Sequence, residues 1–233
     1  RVGTGTTGST AYTNSATILF GADTGVGEYA YAFMPGSRAA ADIDGDVTIN
    51  PLNGWFSDLS RGSYDFTTII HEIGHAIGLD HPGNYNGGAP TYAANAAYVQ
   101  DSNQYTVMSY FDAEETGARH YGTYAATPLL HDIAAAQALY GANYATRAGN
   151  TVYGFNSNAD RAQFHITSAA QDVVFAIWDG GGRDTLNLAG YTERSVINLN
   201  AGSFSSAGGL VANIAIARGA LIEDAKGGAG RDI

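Results

Sequence analysis

Residues 71–81 read His-Glu-Ile-Gly-His-Ala-Ile-Gly-Leu-Asp-His. On a helix, His71 and His75 are four positions apart and project from one face about a turn from each other. Two imidazoles so placed can share a tetrahedral zinc ion. Glu72 follows the first of them, where a carboxylate reaches a water at the metal without ligating the metal itself. Gly78 lets the chain leave the helix sharply, because glycine has no Cβ to clash in left-handed conformations. The turn then returns His81 as a third ligand. Three protein ligands and an open fourth position describe a catalytic site rather than a structural one. A bare H-E-x-x-H arises by chance fairly often, but the added glycine and third histidine make chance a poor explanation.

The elements that must position these side chains can be read around them. The histidine helix is expected to start near Asp65, a competent N-cap, and to bury Ile69, Ile70, Ile73 and Ile77. A long loop rich in Asn, Gly, Ala and Tyr runs from Pro82 to about Tyr105. Thr106-Val-Met-Ser-Tyr110 follows, and Met108 fits as an apolar floor beneath a zinc cage. Read alone, Met108 would be core filler. Tyr110 sits two residues on, where its hydroxyl could reach the metal or an oxyanion; a packed aromatic in a chain with 15 tyrosines is the competing reading. Thr127-Pro128 gives a cap-plus-first-turn start to a second helix that runs to Tyr140 and stops at Gly141.

Strands are expected over 16–20, 28–33 and 46–50 before the histidine helix, and over 151–154, 173–178, 185–188, 195–199 and 213–217 after the second helix. A boundary is therefore drawn near residue 145. Before it lies an α+β unit, and after it an all-β segment punctuated by glycine.

That second segment holds Asp179-Gly-Gly-Gly-Arg-Asp184 and Gly227-Gly-Ala-Gly-Arg-Asp232. Both approximate the nonapeptide of calcium-binding parallel β-rolls. The glycines permit tight turns with exposed carbonyls, and the aspartates supply hard anionic oxygens suited to calcium. Two other patterns carry less. Gly3, Gly5 and Gly8 match G-x-G-x-x-G without the strand and helix that would give it meaning. Asp42, Asp44 and Asp46 around Gly45 lack the bidentate glutamate of a calcium loop, so a polar turn is expected.

Composition sets the outer bounds. The chain has 233 residues, 45% hydrophobic, enough for a large domain or a domain with an appendage. A formal net charge of -11 with only 11 Lys and Arg argues against a nucleic-acid partner. With no cysteine, disulfides and thiolate ligands are excluded. No apolar run is long enough to cross a bilayer, and the opening Arg-Val-Gly-Thr-Gly has no apolar signal core.

These residues together resemble the serralysins, secreted zinc endopeptidases of the metzincin clan. The likeness runs from His71 to Asn84, through Val107-Met-Ser-Tyr110, through Asp132-Ile-Ala-Ala-Ala-Gln137 and Leu139-Tyr-Gly-Ala-Asn143, and on to Val152-Tyr-Gly-Phe-Asn-Ser-Asn158. The fold it implies is α+β: a metzincin-type protease domain over 1–145 lacking its N-terminal part, then a truncated parallel β-roll over 146–233. The resemblance implies zinc on His71, His75 and His81, Glu72 as general base, and Tyr110 as a displaceable further ligand. It implies one calcium held by the carbonyls of Arg147, Gly149 and Thr151 with Asp179, Gly181 and Asp184, and a second to which Gly182, Asp184 and Glu223 contribute. Asp132 matches the buried aspartate that braces the methionine turn, and His131 stands where an acidic residue is usual. The partners implied are protein or peptide substrates and a proteinaceous inhibitor, in an extracellular setting, with no membrane. The rival expectation is a non-catalytic, calcium-dependent β-roll binding module that keeps a vestigial zinc site.

Overall fold

The computed structural model describes residues 18–37 and 43–233. The glycines at 3, 5 and 8, Asp42 and the first part of the strand expected over 16–20 lie outside the described residues. Short strands β1 (Phe20–Ala22), β2 (Ala30–Ala32) and β3 (Val47–Ile49) form a sheet in the order β1-β3-β2. β1 runs parallel and β2 antiparallel to β3, which leaves β2 at an edge. Asp46 Oδ1 accepts the Leu19 amide at 2.9 Å and Asp44 Oδ2 accepts the Gly36 amide at 2.7 Å. Both aspartates thus tie their segment to earlier parts of the chain, 27 and 8 positions away, rather than closing the polar turn expected of them.

Helix α1 (Tyr64–Ala76) packs on β2 and β3 and carries the first two histidines. Its N-cap is Ser63, whose Oγ accepts the Phe66 amide at 3.1 Å. The expected cap, Asp65, lies inside the first turn instead, where its carboxylate accepts from the Asp58 amide and the Tyr29 hydroxyl. The expected burial face also needs correction. The residues α1 buries are Asp65, Thr67, Glu72, Gly74 and Ala76, while the four isoleucines are only half-buried. Small and polar side chains occupy the close contacts. Ile70, Ile73 and Ile77 instead line a groove of about 290 Å³ that they share with Pro128, Ile133 and Trp178.

The segment from 82 to 105 contains one short helix, α2 (Tyr92–Asn95). Helix α3 (Leu130–Tyr140) begins later than the Thr127-Pro128 signal suggests. Asp132 accepts the Leu129 amide at 2.8 Å and so ties off the helix start, which frees the Thr127 hydroxyl to accept the Ala176 amide at 2.9 Å. Gly141, at φ +82°, ends α3 as expected.

From residue 152 the chain is built of short strands: β4 (Val152–Phe155), β5 (His165–Ile166), β6 (Phe175–Ile177), β7 (Thr185–Asn187), β8 (Phe204–Ser205), β9 (Ile214–Ile216) and β10 (Asp224–Lys226). One sheet is wholly parallel in the order β10-β7-β4-β5, and the other has the order β6-β9-β8 with β6 and β9 parallel. The strand expected over 195–199 survives as pairing at 195–197: Val196 bridges Ser206 on one side, while the Ser195 carbonyl and Ile197 amide bond the backbone of Ile233 on the other. Successive residues of β6 and β9 point to opposite faces. Phe175, Ile177, Ile214 and Ile216 turn inward against Tyr153 and Leu186. Val174, Ala176, Ala215 and Ala217 turn outward and share a second core with Leu79, Val107, Met108 and Leu129. Small side chains on that outer face let the sheet approach the segments beside the histidines, so one apolar core crosses the boundary at residue 145. Among the described residues, no helix is long and apolar enough to cross a membrane.

Candidate functional site

Four positions of helix separate His71 from His75, and Gly78, at φ +94°, turns the chain so that His81 folds back onto them. The ring nitrogens of the three histidines lie within 4.8 Å of one another. His81 Nε2 is 3.1 Å from Nε2 of both His71 and His75. Backbone carbonyls fix the other ring nitrogens: His71 Nδ1 donates to Val107 O at 2.7 Å, and His75 Nδ1 to Leu79 O at 2.8 Å. With Nδ1 protonated, each of these two Nε2 atoms can only accept. Two lone pairs converging on a third ring nitrogen form a pocket suited to a cation. Burial holds the rings neutral; it pushes His71 down to about 3 and lowers His75 and His81 as well.

Glu72 is 6% exposed, and its Oε2 is buried without a hydrogen-bond partner. Desolvation pushes its carboxyl up to about 7. A buried carboxylate oxygen left unsatisfied is costly in a finished core. Beside three converging imidazoles, it is instead in place to exchange a proton. Tyr110 is 38% exposed, with its ring 4.6 Å from that of His81 and its hydroxyl 3.4 Å from the Gly87 amide. Burial raises its pKa, so it stays a protonated donor.

A layer of side chains behind the histidines fixes them. Asp132 is buried and accepts from the Thr106 hydroxyl and from the amides of Val107 and Leu129. Met108 is 2% exposed and packs under α1 at Gly74; a Cβ there would meet its sulfur at 2.4 Å. That contact explains the glycine inside His-Glu-Ile-Gly-His. Tyr85 stacks on His81 and donates to the buried Asp101 carboxylate at 2.8 Å. The Tyr85–Asp101 pair is absent from the sequence reading, and no local signal marks it, because the two residues are 16 positions apart.

The acidic residues of the β segment form a looser group. Asp184 is fully buried; its Oδ1 accepts the Thr151 amide at 2.7 Å, and its Oδ2 has no partner. Desolvation pushes its carboxyl up to about 6, and the charges of Asp179 and Glu223 add to that. Glu223 accepts the Asp184 amide at 2.7 Å. Asp179 accepts from the Gly181 amide and the Tyr153 hydroxyl, and Arg147, at φ +48°, donates to that same hydroxyl and to Trp178 O. Gly182, at φ +132°, lies against Gly149, whose carbonyl would be 2.6 Å from an added Cβ. Gly149 O accepts the Thr151 hydroxyl. The structure thus gathers Arg147, Gly149, Thr151, Asp179, Gly181, Gly182, Asp184 and Glu223 around one turn. Among the described residues, however, the histidines are the one set of three His or acidic ligand atoms within 4.8 Å.

The second glycine-aspartate turn repeats the first. Gly228 faces Tyr191 O as Gly180 faces Tyr144 O, and Gly230 faces Glu193 O as Gly182 faces Gly149 O. Asp232 accepts the Ser195 amide at 2.7 Å, as Asp184 accepts that of Thr151. Ser195 Oγ is buried without a partner. The sequence reading found the glycines and Asp232 but missed Ser195.

Residues 142–233 match the family model described as Peptidase M10 serralysin C terminal. Over 225 residues the chain is 47% identical to Metalloprotease AprA of Pseudomonas entomophila (strain L48), an alignment of 92% of this chain and 45% of that protein. Serralysin B of Dickeya chrysanthemi is 45% identical over 95% of this chain and 45% of its own length. Serralysin of Proteus mirabilis is 47% identical over 88% of this chain and 42% of its own length. The chain belongs to the serralysin family. It spans less than half the length of these serralysin relatives. The mostly β architecture with parallel sheets after residue 142 fits the serralysin C-terminal domain. The longer alignments necessarily run through His71–His81 as well, since they cover nearly all of this chain.

Proposed function

We propose that this chain carries the catalytic centre of a secreted, zinc-dependent endopeptidase that cleaves extended protein or peptide substrates with broad specificity. The observation that carries the reading is the convergence of three histidine Nε2 atoms beside a buried Glu72 oxygen with no partner. The donor set fits zinc: three neutral imidazoles, two with their tautomers fixed by backbone carbonyls. His71, His75 and His81 would hold the zinc ion, which would supply the Lewis acidity that makes a water nucleophilic near neutral pH.

The chain's own groups do the rest. Glu72 Oε2 takes the proton from the attacking water and returns it to the leaving amine. The Tyr110 hydroxyl, half-exposed over the histidines, donates to the oxyanion as it forms. Edge strand β2 offers unpaired main-chain groups to an extended substrate, and recognition through the backbone favours broad specificity. In the β segment, Asp184 with its unpartnered oxygen, Asp179, Glu223, Gly181, Gly182 and the carbonyls of Arg147, Gly149 and Thr151 would hold calcium, whose many oxygen ligands suit such turns. Residues 146–233 are then a calcium-dependent roll beside the protease unit, and an extracellular setting supplies that ion. A proteinaceous inhibitor remains a partner of this reading.

The test is reconstitution with zinc and calcium. Chelator-sensitive hydrolysis of casein, with one tightly held zinc per chain, supports the proposal. Bound zinc without hydrolysis would favour the non-catalytic β-roll module.

A further inference from the structure

A cavity of about 360 Å³ lies beside α1, lined among others by Thr67, Asn103, Asp112, Glu114, His120 and Tyr124. Thr67 is four positions before His71, so it shares that helix face about one turn, roughly 5.4 Å, along the axis. The Thr67 hydroxyl donates to Ala125 O at 2.6 Å, which pins the opposite wall to the helix. One wall of the cavity therefore lies one helical turn from the first histidine, and consecutive residues of an extended substrate advance by about 3.8 Å.

Its lining carries an unbalanced charge. Asp112 and Glu114 both line it, no Lys or Arg does, and neither acid forms an ion pair among the described residues. Glu114 sits on a 3-10 turn, Ala113–Thr116, that Gly117 ends at φ +97°. Its Oε1 accepts the amides of His120 at 2.8 Å and Tyr121 at 3.3 Å, which aims the carboxylate and leaves Oε2 without a donor among the described residues. His120 is 4% exposed with its Nε2 directed at Ala212 O, and burial lowers its pKa, so it faces Glu114 as a neutral ring at pH 7.

We infer that this cavity is a side-chain pocket selective for arginine or lysine beside the cleaved bond, with Glu114 as its specificity-determining carboxylate. The inference rests on the endopeptidase reading, and it names a substrate preference within otherwise broad recognition. A guanidinium entering the cavity meets an exposed carboxylate that two backbone amides hold in one orientation, with Asp112 adding attraction at the rim. An apolar side chain of the same length gains the walls without the charge.

Calorimetry on the zinc- and calcium-loaded Glu72→Gln protein reads this without turnover. The probes are acetyl-Ala-Arg-Arg-Ala-amide and its norleucine counterpart. The arginine peptide should bind about tenfold or more tightly, as one charge-assisted contact gives. Adding Glu114→Gln, which keeps an acceptor oxygen for the two amides, should remove most of that preference. Adding Glu115→Gln, an equal change of charge outside the cavity lining, should leave it intact. No preference for arginine, or equal loss in both variants, overturns the inference. Casein hydrolysis that persists without the preference sinks this inference alone. The preference without hydrolysis by the Glu72 protein sinks the endopeptidase reading alone.

Discussion

Asp132 and His71 are joined through a single residue. The Asp132 carboxylate accepts the Val107 amide at 2.9 Å, and the Val107 carbonyl accepts from His71 Nδ1 at 2.7 Å. The aspartate thus sets the position of the carbonyl that fixes the tautomer of the first histidine. Replacing Asp132 with alanine leaves the Thr106 hydroxyl and the amides of Val107 and Leu129 as buried donors without an acceptor. Each such loss costs about 1–3 kcal/mol. Thermal unfolding of the metal-free Asp132→Ala protein should show a marked loss, and chelator competition a zinc affinity weaker by about 10–100-fold. Unchanged zinc affinity would reduce Asp132 to a helix cap.

Gly74 and Met108 should behave as a pair. In an exposed helix, Gly→Ala stabilises by about 1 kcal/mol. Here the new methyl would meet a buried methionine sulfur at 2.4 Å, and overpacking of this kind costs about 1–3 kcal/mol. Gly74→Ala should therefore lower the melting temperature and weaken zinc binding. The same change in a Met108→Ala background should be neutral or stabilising. Additive effects across that double-mutant cycle would show that the two positions are not in contact.

The sequence makes some of this site legible because its parts are local or strongly patterned. His71, Glu72, His75 and His81 fall within eleven residues, so helical spacing and one glycine turn suffice to bring them together. Met108 and Asp132 are legible through the family likeness. Asp101 behind Tyr85, Ser195 behind Asp232 and the cavity at Glu114 arise from contacts between distant segments and have no local mark. The isoleucines of α1 show why pattern overstated burial: their spacing says they share a face, and only the placement of α3 shows that this face lines a groove. Strands β5, β8 and β10 are two or three residues long and exist because neighbouring turns of the chain stack on them. The segment over 195–199 has strand composition, but only 195–197 find backbone partners, at Ser206 and Ile233.

Calcium should be felt at the zinc site. Val174, Ala176, Ala215 and Ala217 share a core with Val107 and Met108, so loosening the β segment removes packing from beneath the histidines. Asp184→Asn should abolish most of the calcium-dependent rise in melting temperature. It should also weaken zinc retention in calcium-containing buffer, read by the rate of zinc loss to a chromogenic chelator. A calcium-dependent melting shift that survives the substitution would move the ion elsewhere.

His120 gives the fold an acid-sensitive point. Burial lowers its pKa below the usual 6.5, with Ala212 O and Glu114 pulling it partly back. The folded state therefore binds fewer protons than the unfolded state below pH 6.5. The stability this group contributes is fully present above 6.5 and is lost as pH falls toward its folded value. The melting temperature of the metal-free protein should drop across that window, and His120→Gln should flatten the drop. An unchanged pH profile in the variant would assign the acid sensitivity to other groups.

The most direct test of the account compares casein hydrolysis by this chain, loaded with zinc and calcium, with that of its Glu72→Gln variant. The account predicts that both bind one zinc with similar affinity and that hydrolysis is lost only in the variant. Turnover that survives in Glu72→Gln would contradict the role of Glu72, and with it the catalytic centre described above.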